Sequence, residues 1–494
     1  MSNLTQESNL LPFSNEIGDH IPGGLQVISE TGTITEAAEI MALSNNTSLV
    51  VLQNDVPVGI VTISDLVKKG LARKISTDSA VSNIMTPNII TIQKDQPVLE
   101  ALVVMLRHKI GHLLVMDGKT ILGVVSEKDW LNTQKTNPAT IIQSINYAKS
   151  VQEIAQLKKD AYQLITRLFD IDGNAHAFTQ FITEINDKIT SRLIGLAISE
   201  MRMEGYGDPP VTFAWIGMGS EGRKAQTLIT DQDNGIIFEN VAPEHLKVVY
   251  FWFHLFARKV VNGLEVCGFP KCDGNIMATN SELCNSVAEW KILFNKIITI
   301  KDAKTLLEAS IYFDFRLIYG NSRLVTSLWD DLITKLYANI LFFRRFADNM
   351  LMASRPPIKS FRWKWYPHFK LKVPQLNIKR EAIAPLDAAV RILSLANGSI
   401  ETNTIERLKF LEERKIITRS LAEAARSAYD FMMILRIRYE LNRSSDDKID
   451  YIIGLNSLNP LMANFLKDSL NTIYSLQAFA FEKVGGVNRG WGIF

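Results

Sequence analysis

The chain of 494 residues is long enough for roughly three or four folding units at about 100–200 residues per domain. Its 47% hydrophobic and 21% charged residues are typical of a folded globular protein and exclude broad disorder. The 54 Lys and Arg residues nearly balance the 52 Asp and Glu residues, and the net charge of +2 excludes a whole-surface field that would attract nucleic acid or anionic membrane without specificity.

The N-terminal segment MSNLTQESNLLPFSNE has neither a basic start nor a continuous apolar stretch, so we expect residues 1–16 to form a flexible tail rather than an export signal. No apolar run approaches the roughly 20 residues that span a bilayer. The cysteines Cys267, Cys272 and Cys284 are odd in number and lack a CxxC pair, which favours packing residues over disulfides or a structural zinc site. A cytoplasmic protein without membrane contacts is therefore expected.

An internal repeat with an offset of 64 residues follows the tail. VPVGIVTISDL at 56–66 corresponds to KTILGVVSEKDW at 119–130, and a helical pattern and another β-rich run precede each copy. Each copy is therefore predicted to be helix, strand, turn, strand, helix. The matched positions are Gly59, Thr62 and Asp65 in the first copy and Gly123, Ser126 and Asp129 in the second.

The repeat resembles a tandem pair of CBS domains over residues 17–135. The resemblance implies that Thr62, Asp65, Ser126 and Asp129 contact an adenine nucleotide such as AMP or ATP. Hydroxyl and backbone N–H groups donate to phosphate, and a carboxylate accepts from ribose hydroxyls. The alternative is that the hydroxyls are helix N-caps and the carboxylates only favour the first helical turn. A pairing or dimerisation role for the repeat also stays open.

Residues 136–204 carry apolar residues at intervals of three and four, which predicts a connector of packed helices. GYGDPP at 205–210 then breaks the chain with Gly and Pro, and we expect a new domain to begin at residue 205.

The segment VTFAWIGMGSEGRKAQTLITDQDNGIIFEN at 211–240 is the most informative of the chain. An apolar strand enters a turn that contains Ser220, Gly222 and Arg223, which suit a triphosphate through backbone donors and charge-assisted hydrogen bonds. Asp231 and Asp233 then open a second apolar strand. Two Asp residues at i and i+2 on a strand project from one face, so their carboxylates can share a hard cation such as Mg²⁺.

The order of GS, ten residues and DxD resembles the signature of polymerase-β-type nucleotidyltransferases. GSEGR followed by QTLITDQDNGIIF is similar to the bacterial PII uridylyltransferase-like family, which is often fused to CBS domains. The resemblance implies an NTP substrate (UTP or ATP), with Mg²⁺ on Asp231 and Asp233. Gly219 and Ser220 would hold the β- and γ-phosphates, and Arg223 would pair with phosphate.

A third carboxylate is expected near the Asp pair by the same resemblance. Asp314 in ASIYFDFRLIYGN fits best and is assigned as catalytic, while Glu265 and Asp273 fit less well. The alternative for Asp314 is a structural ion pair with Arg316 or another cation. Ala225 stands where the family usually has Glu, which raises the question of a missing acidic partner for the nearby arginines.

The rest of the chain is predicted to be a nucleotidyltransferase domain at 205–324 and a mainly helical domain at 325–494 that resembles the family's substrate-binding domain. Basic and aromatic residues alternate between 355 and 380, a pattern that can bind single-stranded nucleic acid. A surface whose aromatics pack inward and whose cations face water is the favoured interpretation. The fold class is therefore α+β multidomain: a tandem CBS pair, a polymerase-β-type domain and a helical C-terminal domain.

The favoured function is transfer of a nucleoside monophosphate to an acceptor, a signalling protein such as a PII-like regulator, under control of adenine nucleotide at the CBS pair. The first alternative is a non-catalytic nucleotide-sensing interaction protein with a degenerate transferase domain. The second is an RNA nucleotidyltransferase that uses the basic and aromatic segment. Nucleic acid is otherwise not expected as a partner, and a homodimer through the CBS pair or the C-terminal helices is plausible.

Overall fold

The predicted tail lies outside the part of the chain that the structure describes, except for Glu16. Asp129 and most of the basic and aromatic segment lie outside it as well. The structure, a computed structural model, describes residues 16–21, 24–44, 46–108, 110–126, 138–299, 310–353, 375–443, 450–454 and 458–484.

The chain divides into two compact units. The first comprises residues 1–144 and 163–177, and the second comprises residues 145–162 and 178–494. Residues 178–204, which the sequence pattern assigns to the connector, thus belong to the same unit as the strands around the DQD motif. The proposed boundary at residue 205 stays a prediction.

The first unit contains two small sheets that repeat one another. In the first sheet the strand order is β1-β2-β3-β4, with β1 parallel to β2 and β2 antiparallel to β3. Helix α1 lies between β1 and β2 in the chain. The bounds are β1 (Val27–Ser29), α1 (Ile34–Ser44), β2 (Ser48–Gln53), β3 (Val56–Thr62) and β4 (Thr86–Pro87).

The second copy reproduces the first with the predicted offset of 64 residues. Its strand order is β5-β6-β7, with the same parallel and antiparallel pairs and an irregularity at the matching place. A glycine recurs because a Cβ at Gly59 would lie 2.5 Å from the Met85 sulfur, and one at Gly123 would clash with Ile21. The bounds are β5 (Thr91–Gln93), α2 (Val98–His108), β6 (His112–Asp117) and β7 (Thr120–Ser126).

Three helices follow, α3 (Pro138–Tyr147), α4 (Val151–Asp172) and α5 (Ala175–Met203). Among the described residues, no helix is both long and apolar enough to cross a membrane.

The second unit is built around a sheet with the strand order β10-β9-β8-β11. β8 pairs antiparallel with both β9 and β11, whereas β10 runs parallel to β9. Every residue of β8 and β9 is buried, which explains their continuous apolar pattern. The bounds are β8 (Phe213–Gly217), β9 (Asn234–Phe238), α6 (Leu246–Val266), β10 (Cys284–Ser286), α7 (Val287–Thr299) and β11 (Arg316–Gly320).

Helices dominate the remainder of this unit, as predicted. Asparagine side chains cap several of them; Asn403, for example, accepts from the backbone N–H groups of Ile405 and Glu406. A short antiparallel ribbon of β12 and β13, which the sequence pattern did not predict, joins distant segments. The bounds are α8 (Ser322–Tyr337), α9 (Ile340–Ala353), β12 (Gln375–Asn377), α10 (Ala384–Ala396), α11 (Thr404–Glu413), α12 (Arg419–Leu441), β13 (Ile452–Gly454) and α13 (Pro460–Lys483).

Single helical turns complete the description. They are Ile17–His20, Ile63–Asp65, Leu66–Gly70, Leu71–Arg73, Val81–Asn83, Gly219–Gly222, Ser281–Leu283 and Lys379–Ile383.

Candidate functional site

The turn after β8 and the DQD motif before β9 are in direct contact. The backbone N–H of Met218 donates to the carbonyl of Asp233 at 2.8 Å. Gly219 has a φ of 54°, and a Cβ there would lie 2.5 Å from Asp233 Oδ2. Only glycine therefore permits this turn to approach the carboxylate so closely.

The two Asp side chains project from one face, as the strand pattern predicted, and Gln232 anchors the other. Gln232 is buried, and its Nε2 donates to the carbonyls of Val261 at 3.1 Å and Phe269 at 2.9 Å. Asp231 is half-buried, whereas Asp233 is only 8% exposed. The hydrogen bonds of the Gln232 side chain thus fix the orientation of the DQD backbone, and with it the side on which Asp231 and Asp233 lie.

The loop after α6 runs alongside the motif and brings a thiol to it. Backbone N–H groups on both sides of Asp233 hold the loop: Gln232 donates to Pro270 at 3.0 Å and Asn234 to Ile276 at 3.1 Å. As a result, ligand atoms of Asp231, Asp233 and Cys272 all lie within 4.8 Å of one another. The sequence pattern favoured a packing role for all three cysteines. Cys267 and Cys284 are buried, whereas Cys272 is half-buried and its sulfur is part of this group.

The electrostatics of the group suit a cation. Burial raises the pKa of Asp233 to about 7, and the neighbouring Asp231 carboxylate adds to that rise. Burial likewise raises the pKa of the Cys272 thiol to about 11, with a further contribution from Asp233. Asp233 Oδ1 is buried and has no hydrogen-bond partner. A divalent cation fits this site, because it would both satisfy that oxygen and compensate two adjacent carboxylates.

Asp314 is not part of the group that the structure brings together at the DQD motif. It is fully buried, and its carboxylate oxygens lie 2.6 Å from Arg391 Nη2, 2.8 Å from Arg407 Nη1 and 2.7 Å from Arg223 Nη1. Burial alone would raise the pKa of Asp314, but the three guanidinium groups outweigh it and hold that pKa well below its ordinary value. The structure therefore shows the ion-pair alternative for Asp314.

The expected partner of Asp314 was only partly correct, because Arg316 pairs instead with Asp187 at 2.7 Å. Arg223, which the family resemblance assigned to phosphate, is held by Asp314 and by Asp387 at 3.3 Å. These two carboxylates give Arg223 acidic partners despite the alanine at position 225. The weaker candidates for a third carboxylate are not in the group at the DQD motif: Glu265 pairs with Lys271 at 2.8 Å, and Asp273 is exposed.

The C-terminal helices hold the loop that links the turn to the DQD motif. Thr402 Oγ1 donates to the carbonyl of Gly222 at 2.7 Å, and Asn403 Nδ2 donates to that of Arg223 at 2.8 Å. Further along the loop, Glu440 accepts from Thr227 Oγ1 at 2.7 Å. The loop is therefore fixed at both ends by side chains of the helical region.

Lys379 is a candidate site residue that sequence reasoning placed only within the general basic segment. It lines a cavity of about 590 Å³ together with Tyr451 and residues of β12 and β13. Burial and the nearby Arg436 lower the pKa of Lys379, while the carboxylates of Asp231 and Asp233 oppose that shift. Its ammonium group thus lies within the field of the Asp pair.

In the first copy of the CBS pair, the side chains predicted to contact a nucleotide form hydrogen bonds and an ion pair within the protein. Thr62 and Asp65 form a capping box, in which Thr62 Oγ1 donates to Asp65 Oδ2 at 2.7 Å. Asp65 also pairs with Lys69 at 2.7 Å. In the second copy Ser126 ends β7 opposite His112, and Asp129 lies outside the described residues. A ligand role for these residues stays a prediction.

Three family descriptions match the chain. "CBS domain" matches residues 24–71 and 81–135, and "Putative nucleotidyltransferase DUF294" matches residues 159–304. "Putative nucleotidyltransferase substrate binding domain" matches residues 340–484. The matches follow the order predicted from the repeat, the DQD motif and the helical region.

Individual proteins resemble a smaller part of the chain. Uncharacterized protein YlbB of Bacillus subtilis is 30% identical over 124 residues, which are 25% of this chain and 84% of that protein. The structure of an uncharacterized conserved protein from Pyrococcus horikoshii is 27% identical, covers 26% of this chain and 97% of that chain, and has a TM-score of 0.24. A CBS domain protein from Pyrobaculum aerophilum, solved with AMP, is 27% identical, covers 24% of this chain and 92% of that chain, and has a TM-score of 0.23.

Proposed function

Because the chain belongs to the DUF294 nucleotidyltransferase family with a CBS domain pair, we propose that it transfers a nucleoside monophosphate from an NTP to an acceptor. The contact between the Gly219 turn and the Asp231 and Asp233 carboxylates carries the proposal. Under this proposal the turn binds phosphate and the two carboxylates hold a metal at the same edge of the sheet.

The reaction is a displacement at the α-phosphorus of the NTP. An acceptor hydroxyl oxygen bonds to that phosphorus, the bond to the bridging oxygen breaks, pyrophosphate leaves with the electron pair, and the hydroxyl proton passes to water. A cation such as Mg²⁺ on Asp231 and Asp233 would supply charge stabilisation to the phosphates. The turn begins at Gly219 and Ser220. Because the first backbone N–H groups of a helical turn point away from it, we assign those of Gly219 and Ser220 to the β- and γ-phosphates.

We assign the acceptor to the protein class, with a PII-like regulator as the specific candidate and UTP or ATP as the donor. This assignment rests on the family resemblance of the segment around the DQD motif and on the substrate-binding description of residues 340–484. Lys379 interacts electrostatically with the Asp pair, and we assign its cation to the triphosphate or the departing pyrophosphate. Arg223 contributes indirectly, because Asp314 and Asp387 hold it in place.

AMP or ATP at the CBS pair is proposed as the regulator of this transfer. The two copies share fold and register, and a cleft between such units is the proposed ligand site with Thr62, Asp65, Ser126 and Asp129. Nucleotide binding would have to loosen the capping box between Thr62 and Asp65 or use their outward-facing atoms. Regulation requires that the nucleotide bind two states of the chain with different affinity.

The test of the transfer is pyrophosphate release and labelling of a protein extract with each of four radiolabelled NTPs and Mg²⁺ or Mn²⁺. We expect Asp231→Asn, Asp233→Asn to reduce the rate by at least about 100-fold, the loss typical of one preorganised electrostatic group. Asp208→Asn is the matched control, because Asp208 forms an exposed ion pair with Arg202. Equal labelling by the parent and the double variant would refute the proposed transfer.

The regulatory part has its own measurement. AMP and ATP are titrated by calorimetry against the full chain and against Asp65→Asn, and the transfer rate is followed in parallel. We expect binding to weaken in the variant and the rate to respond to bound nucleotide. Tight binding without any change in rate would remove the regulatory claim and leave the transferase claim intact.

A further inference from the structure

The third donor beside the Asp pair is a sulfur atom. Two carboxylates with water and phosphate would be an ordinary Mg²⁺ site, but a thiol is not a ligand that Mg²⁺ selects. Cys272 Sγ lies within 4.8 Å of the ligand oxygens of both Asp231 and Asp233. The three residues therefore form a mixed oxygen and sulfur donor set.

A second observation points to a ligand at this place. Asp233 is 92% buried, since its exposed fraction is 8%, and its Oδ1 has no hydrogen-bond partner. Buried carboxylate oxygens are ordinarily paired, and an unpaired one beside a second carboxylate and a thiol is an oxygen that a cation would satisfy.

A tight turn fixes the backbone at Cys272. Asn275 has a φ of 56°, which turns the chain back so that its N–H donates to the carbonyl of Cys272 at 3.0 Å. A hydrogen-bonded turn of this kind holds the residue that carries a ligand atom in a fixed position.

We infer that Cys272 is the third protein ligand of the Asp231 and Asp233 site, and that the site binds a thiophilic divalent cation such as Zn²⁺ or Co²⁺ in preference to Mg²⁺. Zinc accepts Cys sulfur and Asp oxygen together, and catalytic zinc sites keep three protein ligands and one open position. The inference deepens the proposed function, because it names the class of metal that binds the same site. It rests on the proposed function only in that the bound metal would take part in transfer.

The test is a Co²⁺ titration of the full chain, followed by sulfur-to-metal charge-transfer absorption in the near ultraviolet. The chain has only three cysteines, so Cys267→Ser, Cys284→Ser leaves Cys272 as the single thiol. We expect this double variant to retain the band and Cys272→Ser to lose it, with Co²⁺ and Zn²⁺ affinity lowered by at least about 10- to 100-fold, the cost of losing even a second-sphere partner. Asp231→Asn, Asp233→Asn should lose the band as well.

Two outcomes would overturn the inference. A missing band in the parent means that sulfur does not bind the metal, and a band that survives the Asp double variant means that a lone thiol binds it. Transfer activity is scored separately: a Cys272-dependent band without transfer leaves the inference standing and removes the proposed function. Transfer that is lost in the Asp double variant, in a chain that shows no band, leaves the proposed function standing and removes the inference.

A measurement on the unmodified chain covers the case in which Cys272→Ser does not fold. Alkylation of each cysteine by iodoacetamide is followed by peptide mass spectrometry with and without metal. We expect Zn²⁺ to slow alkylation of the half-exposed Cys272 at least tenfold and Mg²⁺ at equal concentration to leave it unchanged. Equal alkylation with and without Zn²⁺ contradicts the inference.

Discussion

Replacing Asp314 by asparagine distinguishes a structural carboxylate from a metal-binding one. Asp314 receives hydrogen bonds from Arg391 Nε at 3.0 Å, Arg391 Nη2 at 2.6 Å and Arg223 Nη1 at 2.7 Å, and Arg407 Nη1 lies 2.8 Å away. Asparagine keeps one acceptor oxygen but turns an amide NH₂ toward a guanidinium group. The substitution therefore removes a charge and introduces a donor where only acceptors fit.

The expected loss of stability follows from the burial of the cluster. Three arginines face two carboxylates, those of Asp314 and Asp387, so loss of Asp314 leaves three cations with one buried anion. Removing one partner of a buried ion pair costs about 3–5 kcal/mol, because the remaining charge is left uncompensated. By contrast, Asp208→Asn breaks a pair whose side chains are 56% and 66% exposed, and it should cost at most about 1 kcal/mol.

Urea denaturation of both variants measures the difference, and its pH dependence checks the cause. The folded-state pKa of Asp314 is depressed below its ordinary value of 3.8, so its stabilising effect is fully present above that pH. The effect is lost as the pH falls toward the folded-state pKa, because protonation then favours the unfolded chain. The gap between parent and Asp314→Asn should stay constant from neutral pH to about pH 5 and shrink below about pH 4. An unchanged stability together with lost Co²⁺ or Mn²⁺ binding would refute the structural role and restore Asp314 as a metal ligand.

Three further substitutions test the surroundings of the site. Gly219→Ala should lower both metal affinity and transfer rate at least tenfold in equilibrium binding and rate assays, because its Cβ would lie 2.5 Å from Asp233 Oδ2 at a φ of 54°; unchanged values contradict the close contact. Lys379→Met should raise the KM for the NTP without weakening Co²⁺ binding, because it removes a positive charge near the Asp pair. Arg419→Met, at an exposed position of α12, is the control in the same kinetic assay. Burial lowers the pKa of Lys158 to about 8 from 10.5, so the unfolded chain binds more protons between these values and parental stability should rise across that range. Lys158→Met should remove that rise, measured by urea denaturation from about pH 7 to about pH 10, and a flat parental profile would contradict the prediction.

The repeat could be predicted in detail because its determinants are local and periodic. Each copy must bury the same face of one helix and two strands, so the same positions are apolar in both copies. The structure confirms this residue by residue, with the same offset throughout. The paired core residues are Ile28 and Ile92, Ala37 and Ala101, Met41 and Met105, Leu49 and Leu113, Val51 and Val115, and Val61 and Val125.

The shared face of Asp231 and Asp233 was also predictable, because alternation along an extended chain depends only on the neighbouring residues. Cys272 was not, since its position depends on backbone hydrogen bonds from Gln232 and Asn234 to a loop about 40 residues further along the chain. A backbone donor leaves no mark on the side-chain sequence, and the absence of a CxxC pair therefore said nothing about this site.

For Asp314 the sequence motif identified the right segment, but it could not identify the residues that pair with its carboxylate. The carboxylate is surrounded by arginines from α10 and α11, Arg391 and Arg407, which are 77 and 93 residues away in the chain. Whether a buried acid serves a metal or an ion pair is decided by which cations the tertiary fold places around it. The sequence could state both alternatives, and only the packing of the helices distinguishes them.

Residues of the C-terminal helical region also hold the loop between the Gly219 turn and the DQD motif in place. The loop between Gly222 and Asp231 sets the position of the Gly219 turn relative to the Asp pair, and its carbonyl and hydroxyl groups bond to Thr402, Asn403 and Glu440. Because these contacts are buried or half-buried, each unmade bond would leave a polar group without water as a substitute. The helical region that follows the sheet is therefore a structural part of the candidate active site, in addition to any contact that it makes with an acceptor. The contact between the Gly219 turn and the Asp pair thus depends on both the sheet and these helices.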